Sequence, residues 1–146
     1  MMRHIAIILL VSGLFTGFEV AQSAVLEPVL PSALHWENPP ETPGLQRSWV
    51  IGSERKSGKY ILRVRLLSGT KIRPHSHPDE RVTTVLTGTV SIGFGRSFDA
   101  TRIIAMPAGT VYITPAHVPH FIWAKDGETV FQESGTGPTR TTFTGR

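Results

Sequence analysis

The chain predicts an all-β domain, a sandwich or a barrel. Three observations carry that prediction. Beyond residue 45 the apolar residues fall into short runs, several alternating with period two, and none sustains a 3.6-residue period. Fourteen Gly and eleven Pro punctuate those runs as turns. Several runs, such as RVTTVLT at 81–87, are rich in β-branched residues. A length of 146 residues suits one domain that buries a real core.

Residues 1–23 predict a signal peptide. Met1-Met2-Arg3-His4 is a short basic start. Residues 5–18 are almost wholly apolar and uncharged, and Ala21-Gln22-Ser23 supplies small residues for cleavage. The run falls short of the ~20 apolar residues of a spanning helix. Export is therefore expected, periplasmic or secreted, with no stable membrane anchor after cleavage. The chain has no Cys, which excludes disulfides, thiolate ligands and a cysteine-linked lipid.

Residues 24–45 form a predicted Pro-rich arm. Pro28, Pro31, Pro39, Pro40 and Pro43 rule out a regular helix of any length. Trp36 is expected to pack on the barrel surface, and His35 to be a surface or packing residue. The folded domain is then residues 46–146. Strands are predicted at 46–51, 60–67, 81–87, 89–95, 102–106, 111–114, 120–124 and 129–134, with an edge strand near 141–143. In YILRVRLL, Tyr60, Leu62, Val64 and Leu66 share one face, and the other carries Arg63 and Arg65. Net charge is +4, with the basic residues scattered. No basic stripe accompanies a reading motif, so a nucleic-acid partner is not expected.

The chemistry concentrates in residues 69–88, GTKIRPHSHPDERVTTVLTG. His75 and His77 stand two apart, and in an extended strand such residues point to one face. Pro74 and Pro78 restrict the backbone on both sides. Two imidazoles so placed can share a metal. A second stretch, GTVYITPAHVPH at 109–120, ends on a further imidazole, His120.

These stretches resemble the two motifs of the cupin superfamily. The first, G-x5-H-x-H-x3,4-E-x6-G, matches Gly69, His75, His77 and Gly88, with Arg81 at the Glu position. The second, G-x5-P-x-G-x2-H-x3-N, matches Gly109, Pro115 and His120, with His117 for the Gly and Ala124 for the Asn. The resemblance implies a single-domain jelly-roll barrel with His75, His77 and His120 inside it, around one divalent transition metal: Fe, Mn, Ni, Cu or Zn. Three shells stay open: three imidazoles completed by water, the same three plus Glu80 swung inward by a bulge after Pro78, or an empty site. Asp79 is a weaker fourth donor.

Arg81 has no lone pair to offer a cation. It either faces inward, with a substrate anion between it and the metal, or makes a surface ion pair with Asp79 or another acid. His117 is either a pocket residue, an acid–base group among the possibilities, or a polar loop residue. The resemblance implies a small-molecule ligand or substrate and a homodimer. The expected function is an exported metal-dependent enzyme, an oxidoreductase of the dioxygenase kind. The alternative is a non-catalytic cupin module that binds a small anion or sugar.

Overall fold

A computed structural model describes residues 27–144; the predicted signal peptide lies outside them. Ten strands follow a 3-10 turn at Pro31–Ala33: β1 Leu45–Ile51, β2 Gly58–Leu66, β3 Lys71–Ser76, β4 Arg81–Thr87, β5 Thr89–Phe94, β6 Ile103–Pro107, β7 Val111–Thr114, β8 His120–Trp123, β9 Thr129–Gly137 and β10 Thr142–Phe143. They build two five-stranded sheets, ordered β1-β2-β9-β4-β7 and β10-β3-β8-β5-β6. All the pairings are antiparallel. Among the described residues no helix is long and apolar enough to cross a membrane.

The alternation in β2 works as the sequence predicts. Tyr60, Leu62, Val64 and Leu66 are buried, while Ile61, Arg63 and Arg65 lie half-buried on the outer face. Facing them from the second sheet are Ile72, Val90, Ile92 and Ile122. Burial of this kind stabilises by roughly 25 cal/mol per Å² of apolar surface removed from water. It holds the two sheets face to face.

The segment before β1 makes local contacts with this body. Glu37 and Arg47 form an isolated antiparallel bridge, reinforced by their 3.1 Å ion pair. The Arg65 guanidinium stacks 4.7 Å from the centroid of Trp36. His35 is exposed.

Register in β3 sets up the functional side chains. Ile72 pairs with Ile122, but His75, three residues on, pairs with His120, two residues back, so the ladder holds a bulge at Arg73-Pro74. A bulge shifts side-chain parity by one. Without it, Ile72, Pro74 and Ser76 would share a face. With it, Ile72, His75 and His77 are all buried. Pro74 has no N–H to lose from the ladder, which makes it suited to that position.

Candidate metal centre

His75 near the end of β3 and His120 at the start of β8 stand directly opposite each other. His77 follows just beyond β3. Ring centroids are 4.2 Å apart for His75–His120, 5.0 Å for His75–His77 and 5.3 Å for His77–His120. One ligand nitrogen from each lies within 4.8 Å of the others. All three residues are at most 5 % exposed.

Their tautomers are fixed by the backbone. His75 Nδ1 lies 2.7 Å from the Arg73 carbonyl, His77 Nδ1 3.0 Å from the Arg140 carbonyl, and His120 Nδ1 3.0 Å from the Val118 carbonyl. A carbonyl only accepts, so each Nδ1 carries the hydrogen and donates it. The neutral ring then keeps its lone pair on Nε2. Burial keeps the rings neutral: it pulls His75 down to about 2, helped by the neighbouring His120 and His77, and it pulls His77 down to about 4, helped by the Arg81 cation. His120 is lowered too, chiefly by burial. Three neutral Nε2 donors with their Nδ1 hydrogens anchored are the donor set of a transition-metal site. The residues fit such an ion.

Glu80 lies elsewhere. It is exposed and lines an outer groove with Lys59 and Ser134, apart from the three-histidine group. The bulge in this segment comes before His75, not after Pro78, so nothing turns Glu80 inward. Asp79 is committed to other partners: its carboxylate accepts from Tyr60 Oη at 2.5 Å and from Thr139 Oγ1.

Arg81 is 4 % exposed and faces inward, where its charge is met by protein carboxylates rather than left for a ligand. Nη1 donates to Glu133 Oε2 at 2.6 Å, Nη2 donates to Thr139 Oγ1 at 3.0 Å, and Nε is 3.8 Å from Asp79 Oδ1. The ion pair is internal, not on the surface. His117 is exposed. Its φ of 63° explains why the motif favours Gly there, and its N–H donates to the His77 carbonyl at 2.7 Å. The residue holds the loop through its backbone; its ring stands outside.

Glu133 is the site residue that the sequence reading missed. It is buried on β9 and lines the same small cavity, about 70 Å³, as His75, His77 and Arg81. The signal was present: Glu133 has the parity of Phe131, a core residue on the same strand. Pro39, Glu41 and Thr42 from the N-terminal segment and Phe143 of β10 complete the cavity wall.

No family model matches the chain. No curated protein matches it either. Solved structures do. The polyketide cyclase RemF from Streptomyces resistomycificus superposes with a TM-score of 0.65 at 17 % identity, covering 84 % of this chain and 89 % of that one. KdgF from Halomonas sp. gives 0.60 at 16 % identity, covering 74 % and 92 %. An RmlC-like cupin from Shewanella frigidimarina gives 0.59 at 16 % identity, covering 73 % and 86 %. At these identities the likeness is one of fold, and the fold is that of the cupins.

Proposed function

We propose that this chain is a metal-dependent cupin whose His75, His77 and His120 hold one divalent transition ion for chemistry on a small molecule. One observation carries the reading: all three imidazoles have Nδ1 anchored on a backbone carbonyl, which leaves Nε2 as the free nitrogen of each, and a ligand nitrogen of each ring lies within 4.8 Å of the others. When bound, the ion supplies Lewis-acid or redox chemistry at positions left open by a three-residue ligand set. The chain's own part is to hold the rings, exclude water and offer Arg81 and Glu133 on the opposite wall. An oxidoreductase of the dioxygenase kind is the first reading. That the same fold carries a polyketide cyclase supports catalysis without choosing the reaction. Export and association as a homodimer belong to the same proposal.

A second reading, a non-catalytic module for a small anion, is favoured by the narrow cavity, about 70 Å³. Metal analysis of the purified protein comes first, followed by calorimetric titration with Zn²⁺, Ni²⁺ and Co²⁺. Natural protein is expected to bind about one ion. His75→Ala, His77→Ala and His120→Ala should each lower affinity steeply, while His35→Ala and His117→Ala leave it nearly unchanged. Equal binding by all five variants would sink the metal centre. Oxygen uptake with phenols or dicarbonyls then separates enzyme from module: turnover supports the first, saturable binding without turnover the second.

A further inference from the structure

Glu133 of β9 stands directly across from Thr83 of β4, and Thr83 across from Tyr112 of β7. The three make a polar row across one sheet. His75 and His120 make a second row across the other sheet. Of the Glu133 oxygens, Oε2 is held by Arg81. Oε1 accepts no hydrogen bond from the described residues, and it is not among their sealed, unpartnered polar atoms. Glu133 lines the cavity with His75 and His77, which leaves Oε1 as its oxygen available there. Arg81, itself bound to Thr139 and close to Asp79, fixes this carboxylate in one orientation.

The charges of this buried cluster favour an anionic occupant. Arg81, Glu133 and Asp79 together leave one negative charge in the interior. A divalent ion on three neutral imidazoles turns that into one positive charge, and in a low-dielectric interior an unbalanced charge is costly. A monoanion balances it. An ionised carboxylate such as Glu133, however, only accepts hydrogen bonds. It repels an anion with no hydrogen to give and holds one that carries a donor.

Resting on the metal-centre reading above, we infer that the cavity takes a small hydroxylated monoanion of the 2-hydroxycarboxylate class, whose hydroxyl donates to Glu133 Oε1. Glu133 is thus the residue that sets specificity. The cavity, about 70 Å³ and open on one side, has room for a few heavy atoms beside Glu133.

The test uses protein loaded with Co²⁺, titrated with glycolate and with acetate, which differ by one hydroxyl. Glycolate is expected to bind about 10- to 100-fold tighter, the range of a hydrogen bond to a charged acceptor. Chelation of the ion by the hydroxyl contributes part of that preference, so the variants decide. Glu133→Gln leaves the Arg81 cation without its nearest partner and can cost the fold. The double variant Arg81→Met/Glu133→Leu removes both charges together and avoids that cost. In whichever variant still binds Co²⁺, the glycolate-to-acetate ratio should fall severalfold, to what chelation alone sustains. An unchanged ratio overturns the inference and leaves the metal centre standing. Failure of the natural chain to bind Co²⁺ removes the metal centre, and the inference with it.

Discussion

Burial makes the three histidines poor proton acceptors, helped at His75 by its histidine neighbours and at His77 by the Arg81 cation, and that has a measurable cost in acid. In the unfolded chain each titrates near 6.5. In the metal-free fold His77 is held down to about 4 and His75 to about 2. As pH falls from 6.5 to about 4, the unfolded state takes up protons that the native state refuses. Stability is therefore complete above about pH 6.5 and declines below it, on the order of 1 kcal/mol per pH unit for each such histidine. Urea unfolding of metal-free protein at pH 7.5 and 5.5 should show this loss, and His75→Gln, which cannot titrate, should flatten it. An identical slope in the variant would mean that other groups carry the acid sensitivity. Arg81 makes a second claim at this scale. Its guanidinium lies in an interior with Glu133 and Asp79 around it. Removing one partner of such a pair typically costs about 3–5 kcal/mol, whereas replacing both with apolar groups is often near neutral. Arg81→Leu should thus unfold at markedly lower urea than Arg81→Met/Glu133→Leu. The reverse order would show that the pair contributes little to the fold.

At the scale of elements, the strands were legible because alternation is a direct consequence of a two-sided ribbon with one wet face. β2, β4, β7 and β9 lie close to where period and turn residues put them. The bulge in β3 was not legible, since one extra residue changes no composition and Pro74 alone is compatible with several backbones. For the same reason the bend at Pro78-Asp79 leaves the direction of Glu80 open in the sequence. Glu133 is not legible as a site residue because a charged residue in a strand ordinarily faces water; what reverses that rule is Arg81, fifty-two residues away in sequence. A tertiary partner of that kind leaves no local mark. Gly93 of β5 illustrates the same limit: nothing local in the sequence marks it, yet the Phe121 ring packs where its Cβ would be. Phe121 is fully buried against the Phe98 ring, 4.8 Å between centroids. Gly93→Val should force that ring aside and cost about 1–3 kcal/mol, the usual penalty for overpacking. Chemical denaturation measures it, and a stable variant would show that the ring has room to move.

Taken whole, the molecule is two sheets with a row of histidines on one and a charged row on the other, closed at one end by segments remote in sequence. Pro39, Glu41 and Thr42 form part of the wall on one side. On the other, residues after β9 reach back into the site. The Arg140 carbonyl orients His77, Thr139 Oγ1 bridges Arg81 and Asp79, and β10 pairs with β3 at Ser76 and His75. The Phe143 ring lies 6.0 Å from that of His75. None of these residues belongs to the hydrophobic cluster that joins the sheets, apart from Phe143 at its margin. Folding and site formation should therefore separate. Deleting residues 139–146 removes the orienting carbonyl and the cover over β3, but leaves the inner faces of β2, β4, β5, β8 and β9 intact. Outer-shell partners of this kind are typically worth about 10- to 100-fold in metal affinity. The truncated protein should keep its β-type far-UV circular dichroism and lose affinity for Co²⁺ within that range. Thr139→Val, a far smaller change, should lower affinity less, because it loosens Arg81 and Asp79 and leaves the His77 contact in place. If the truncated chain binds Co²⁺ as tightly as the natural one, the tail is only a cover. The three rings would then be held by β3, β8 and the bulge alone.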